Sequence, residues 1–530
     1  MKLLLCLFGF VSLVSAGDRV QRFSLSDLRQ QADRRGLSVA ETIRRRSVGQ
    51  PVIVTDWPRI SNDDWDNIDF WRNNAEAKAL NIDVKVRTGT DRSASVFSWG
   101  CCENRRTTLA QAATTLLAME NKSDDKAYLY GGVQVTNEPK MQFLRDALGD
   151  VIDDTDFGPS VASEEEHESR RVQLWLTSRG ATTPLHYDAM HNFFVPLVGT
   201  KSFLLLPPSQ WKLLQLRPRF HLRHRNSGRD TEYSASAMQE VLQKQGITDT
   251  LLVQVEPGMA LYLPPFWFHH VTSDTASIAL ASWSALQRDV SVRSRAAWDA
   301  PLPNVLSNRY VRVLALFVES VIVEYFRLAK PETAEQAALE FVSALRERLF
   351  LSSRWTAKMF DDEWRATGAV PQGLFGPLLE LHAGEVVEEI SQGVHPRSSE
   401  YVKHKAERDE AEEMRLMPQQ RVELGSWITR VCDGQITEKI HEKQALEAQG
   451  TIFEVLKSLR PKGDEFGSQV DARELLLAEW LEDFLSELID EDNLLVLLDR
   501  CVRLDESFRV AQDQSSDSEE QVEDLNKDDL

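Results

Sequence analysis

The chain has 530 residues, more than one hydrophobic core usually serves, so two or three domains are expected. At 42% hydrophobic and 27% charged residues it belongs to neither the fibrous nor the wholly disordered classes. Its net charge of −21 argues against a general phosphate-backbone binder, and five cysteines are too few for a disulfide scaffold.

Lys2, the apolar run Leu3–Val14 and the small residues Val14-Ser15-Ala16 have the order of a secretory signal peptide, residues 1–16. The run is too short for a bilayer span. Helical patterns follow at Leu25 to Arg35 and Val39 to Arg46. Short runs rich in β-branched and aromatic residues, each bounded by Gly, Pro, Asp or Ser, then read as strands. They cover 52–56, 128–135, 172–178, 201–208, 259–265 and 277–283, the texture of an antiparallel barrel or double sheet. Asn121-Lys122-Ser123 is a glycosylation sequon, and the vicinal Cys101-Cys102 receives no role. Residues 217–229 form a basic insert carrying His221 and His224 that reads as a solvated loop. After Trp283 the pattern becomes amphipathic helix, at Glu335 to Leu349, Arg473 to Leu488 and Asn493 to Leu504. The stretch Val311 to Phe326 is broken by Arg312, Glu319 and Glu324, so it reads as a core helix and not a membrane span. Cys432 and Cys501 could bridge two of these helices. The last twenty residues hold eight acids against one lysine and end Lys-Asp-Asp-Leu, close to the retrieval signal of the endoplasmic reticulum. The expected division is signal peptide 1–16, a β-rich domain 20–287, a helical region 288–510 and an acidic tail 511–530.

The chemistry concentrates in two segments. In TTPLHYDAMHNFF (182–194), His186 and Asp188 are two apart, so an extended segment puts both on one face. GMALYLPPFWFHHV (258–271) supplies a later histidine, His269 or His270. Two histidines and one carboxylate are the donors of a facial triad that leaves open positions on Fe(II).

These two stretches, with the strand GTKSFLLLPP (199–208) between them, resemble those of JmjC-type cupin domains, in the branch that hydroxylates protein side chains. The resemblance implies an α+β protein: a double-stranded β-helix (jelly-roll, cupin-like) domain followed by an α-helical C-terminal domain. It implies Fe(II), 2-oxoglutarate as co-substrate and O2. Carried over by residue, the metal ligands are His186, Asp188 and His269, the last because Val271 sits two beyond it as in the family pattern, with His270 as the decoy. Lys201 and Thr183 would hold the distal carboxylate of 2-oxoglutarate, Asn192 would lie beside the metal and co-substrate, and Tyr128 would contact the co-substrate, with Tyr130 as its competitor. One departure stands out: Ala281 and Ser282 occupy positions where relatives carry an asparagine donor, and Ser282 is the weak substitute. The resulting expectation is a dioxygenase acting on a protein or peptide in the lumen of the endoplasmic reticulum, or after secretion. It binds no nucleic acid, has no membrane span, and forms a homodimer through its C-terminal helices. The competing readings are a catalytically silent binding scaffold and, less in keeping with a signal peptide, a lysine demethylase.

Overall fold

A computed structural model describes residues 20–57, 68–88, 97, 104–120, 127–134, 155, 171–218, 224–229, 234–284, 311–349, 426, 428–433, 470–488, 491–502 and 504. The signal-peptide pattern, the sequon, Cys101-Cys102, His221 and the acidic tail lie outside the described residues.

The strands are β1 (Gln21–Ser24), β2 (Val52–Thr55), β3 (Asn81–Thr88), β4 (Asn104–Thr108), β5 (Ala127–Gln134), β6 (Arg171–Thr177), β7 (Thr182–Tyr187), β8 (His191–Val198), β9 (Lys201–Leu206), β10 (Leu251–Val255), β11 (Met259–Leu263), β12 (Phe268–Ser273) and β13 (Ser277–Ser284). They form two sheets, ordered β1-β2-β11-β8-β13-β6-β5-β3-β4 and β10-β9-β12-β7. Every described pairing is antiparallel except β1 with β2. The helices are α1 (Leu25–Arg35), α2 (Val39–Ser47), α3 (Ile68–Asn73), α4 (Ala75–Ala79), α5 (Leu109–Glu120), α6 (Ala235–Lys244), α7 (Val311–Ala329), α8 (334–349), α9 (Val470–Leu488) and α10 (Glu491–Arg500). The architecture is cupin-like and α+β.

Side-chain alternation divides the apolar residues into three cores. Between the sheets lie Phe194, Phe203, Leu205, Val271 and Ala281, each from the inward phase of its strand. The outward phase of the large sheet (Val172, Leu174, Phe193, Leu280) packs against α1, α2 and α5. The outward phase of the small sheet (Leu185, Tyr187, Leu204, Leu206, Phe268) packs against α6 to α10. The described C-terminal helices therefore lie against the back of the sheet that carries the candidate ligands. Cys432 and Cys501 are joined there by a disulfide, Cα to Cα 5.0 Å. No helix among the described residues is long and apolar enough to cross a membrane.

Two local features set the site. Gly199, at φ +72°, makes the turn between β8 and β9; a Cβ there would sit 2.0 Å from the Ala276 carbonyl oxygen, so the approach that starts β9 at Lys201 requires glycine. The described residues of the basic insert, 217–218 and 224–229, are not the solvated loop expected from its charge. Its described end, residues 224–229, packs along the free edge of β7, where Ser227 N donates to Leu185 O at 2.8 Å and Asn226 pairs with His186.

Candidate metal centre

His186 and Asp188 come from β7 and its end, and His269 from β12 alongside. His186 and His269 are directly paired across the two strands. Their ligand-capable atoms and those of Asp188 lie within 4.8 Å of one another. The imidazole centroids are 4.1 Å apart, and His269 Nε2 is 3.8 Å from Asp188 Oδ2. His270 lies on the other face of β12, opposite Leu204 and fully buried, because successive strand residues point to opposite sides.

The spacing of Thr183 and His186 needs explanation, since residues three apart on a regular strand face opposite ways. The β7–β12 register shifts between His269 and Val271, so three steps on β7 match two on β12. This bulge re-phases the strand and brings Thr183 to the inner face with His186.

The ring orientations fit a metal. His186 Nδ1 is 2.8 Å from Pro184 O, and His269 Nδ1 is 3.1 Å from Trp267 O. A carbonyl only accepts, so each Nδ1 carries a proton and each Nε2 is the nitrogen turned toward a ligand. Burial, then the neighbouring His186 ring, push His269 down to about 4, so it is neutral at physiological pH. Burial works to raise the Asp188 pKa, but His269, His186 and the Trp283 hydrogen bond together hold the carboxyl below its ordinary value. Asp188 Oδ2 accepts from Trp283 Nε1 at 2.9 Å and from Asn192 Nδ2 at 3.1 Å. Two imidazoles and an oriented carboxylate are the donor set that a divalent iron ion takes.

The β13 donor to this carboxylate is Trp283, just beyond Ala281 and Ser282. Ser282 faces the opposite side of β13, where its hydroxyl accepts from Thr155 at 3.0 Å. Trp283 has the inward phase of Ala281 and lies opposite Asn192, so both donors reach the same oxygen.

Lys201 is buried, 5% exposed, and points between the sheets with Phe203 and Leu205. No carboxylate among the described residues pairs with it, and burial alone pushes it down to about 7. Its Nζ lies 5.4 Å from the centroid of Phe194, the inward residue two beyond Asn192. Lys201 is opposite Ser273, four residues along β12 from His269. At about 3.4 Å per residue that is roughly 14 Å between backbones.

Tyr128 and Tyr130 share one face of β5, but it is Tyr130 that meets Thr183, whose hydroxyl donates to the phenol oxygen at 3.4 Å. Tyr128 lies beside Gly180 instead. Burial raises the Tyr130 phenol, which stays protonated. Its ring stacks on Phe97 and tilts against Trp175, which meets Trp283 edge-on, so an aromatic wall runs to the Asp188 carboxylate.

Residues 42–285 match the family model of the cupin-like domain. The chain is similar to lysine-specific demethylase JMJ30 of Arabidopsis thaliana, 27% identical over 263 residues, 47% of this chain and 53% of that protein. It is similar to the bifunctional peptidase and (3S)-lysyl hydroxylase JMJD7 of Homo sapiens, 25% identical over 189 residues, 32% of this chain and 58% of that protein. Jumonji C domain-containing protein 5 of Drosophila melanogaster is 26% identical over 132 residues, 23% of this chain and 30% of that protein. The chain thus spans between 30% and 58% of the length of these relatives.

Proposed function

We propose, on the premise that residues 42–285 are a cupin-like domain of the JmjC type, that this protein is an Fe(II)- and 2-oxoglutarate-dependent dioxygenase that hydroxylates a protein side chain in the secretory pathway. One observation carries the reading: a two-histidine, one-carboxylate cluster lies on the same inner face as a buried lysine that has no carboxylate partner among the described residues. A buried cation without a counter-charge is costly, so its retention points to an anionic guest.

When bound, Fe(II) with 2-oxoglutarate and O2 supplies the oxidation of a substrate C–H to an alcohol, with succinate and CO2 as co-products. The residues of the chain do the rest. His186 and His269 offer Nε2, and Asp188 stays ionised under two donors that fix its orientation. Lys201 supplies the point charge for the distal carboxylate, with Thr183 and Tyr130 as hydroxyls at the same end. Phe194, Phe203, Leu205 and Val271 exclude water around them.

The relatives' names include both a lysine demethylase and a lysyl hydroxylase, reactions that one such centre can serve. Lumenal placement favours the hydroxylase. It is supported by the signal-peptide pattern, the Lys527–Leu530 ending and the Cys432–Cys501 disulfide, a bond typical of oxidising compartments. The complete constellation counts against a silent scaffold, which has no need of a buried lysine without a carboxylate partner among the described residues.

The test is succinate formation by purified full-length protein given Fe(II), 2-oxoglutarate and air, against His186→Ala. Turnover in the wild type and none in the variant is the expected result. A wild type that binds no iron and makes no more succinate than the variant refutes the proposal.

A further inference from the structure

The strand holding two of the three candidate ligands is gripped from behind. His186 and Asp188 point inward, and Tyr187 between them points outward into the core shared with the helices. Its hydroxyl donates to Glu479 Oε1, on α9, at 2.7 Å. The same carboxylate receives Arg225 Nε at 2.9 Å and Nη2 at 3.3 Å. Arg225 belongs to the segment that lines the edge of β7, and its carbonyl accepts from Tyr187 N at 3.3 Å. It holds a φ of +68°, an uncommon conformation for a side chain of its size. It is also within electrostatic reach of Asp188. One carboxylate, 292 residues from Tyr187, thus fixes both the side chain between the ligands and the segment paired with their strand.

We propose that Glu479 is a positioning residue for the metal centre: through Tyr187 and Arg225, α9 sets where His186 and Asp188 stand, so the helical half tunes metal affinity. This rests on reading His186, Asp188 and His269 as a metal site. The same helix supplies its own control. Glu474 is just as buried and pairs with Lys212 and Lys330, which belong to the 3₁₀ turn Pro208–Leu213 and the residue after α7. Neither lies on β7 or its edge segment.

The experiment compares full-length wild type, Glu479→Gln, Tyr187→Phe and Glu474→Gln for Mn(II) affinity, Co(II) absorption and thermal melting. Glu479→Gln is expected to weaken Mn(II) binding about tenfold and to change the Co(II) spectrum, the low end for groups that orient ligands. Tyr187→Phe loses only a hydroxyl, so it tests the same link even where Glu479→Gln folds poorly; it should weaken binding about threefold. The double variant should lose less than the product of the two, as expected for one shared linkage. Glu474→Gln should melt at lower temperature with metal affinity unchanged. Equal affinities in wild type, Glu479→Gln and Tyr187→Phe would overturn the inference, as would an equal loss in Glu474→Gln. A wild type that takes up neither metal overturns the reading of the site itself, and is a result distinct from equal uptake by all forms.

Discussion

The two faces of the small sheet both bury charge, and they treat it in opposite ways. On the outer face, against the helices, Arg348 meets Glu482, Arg225 meets Glu479, and Lys212 and Lys330 share Glu474. Glu482 and Glu479 outweigh burial and raise the pKa of Arg348 and Arg225 above the ordinary arginine value. On the inner face Lys201 is as deeply buried, but its pKa falls to about 7, with burial as the cause. Among the described residues these outer cations each face a carboxylate, and Lys201 on the inner face does not. The difference separates structural ion pairs from the buried cation on which the proposed co-substrate site rests.

Breaking the outer face should cost most. Glu482→Gln leaves Arg348 buried beside a neutral partner and should destabilise the protein by about 3–5 kcal/mol in a denaturant titration. Inside, the sign reverses. Lys201→Met should stabilise the ligand-free protein by roughly 2–4 kcal/mol while losing co-substrate binding. Below pH 7 Lys201 is charged in both folded and unfolded states, so the burial cost is felt in full. Between pH 7 and its unfolded value near ~10.4 the folded form sheds the proton first, and the advantage of Met fades. Melting at pH 6 and pH 9 checks this, and an advantage that grew with pH would contradict the assignment. The smallest effect is expected at Trp283→Phe, which keeps the ring but removes the donor to Asp188. Metal affinity should fall by about tenfold with little change in melting temperature.

Much of the inner face was legible because period-two alternation and the His-x-Asp spacing encode it locally. The runs at 201–208, 259–265 and 277–283 are strands β9, β11 and β13. The same alternation separates His269 from His270. Alternation cannot choose between Tyr128 and Tyr130, which share a face; only depth along the strand does, and that depends on the β5–β6 register opposite Thr177. Trp283 shares the inward phase of Ala281, but nothing local announces that its indole reaches Asp188. Strand β4 (NRRTT) is the polar edge of its sheet, where charge guards against further pairing and reads as loop. The outer face was illegible for a different reason. Tyr187 and Glu479 are joined by a fold that brings the two halves together, and no local pattern announces a partner so distant.

The central claim, that the inner face is incomplete without a metal and a dicarboxylate, is tested most directly by anaerobic titration. Fe(II) and 2-oxoglutarate are added to the full-length protein, with charge-transfer absorption and equilibrium dialysis as readouts. One equivalent of each should bind to the wild type. Lys201→Met should keep the iron and lose the 2-oxoglutarate, and His186→Ala should lose both. A wild type that takes up neither, or a Lys201→Met form that holds 2-oxoglutarate as tightly as wild type, would contradict the account.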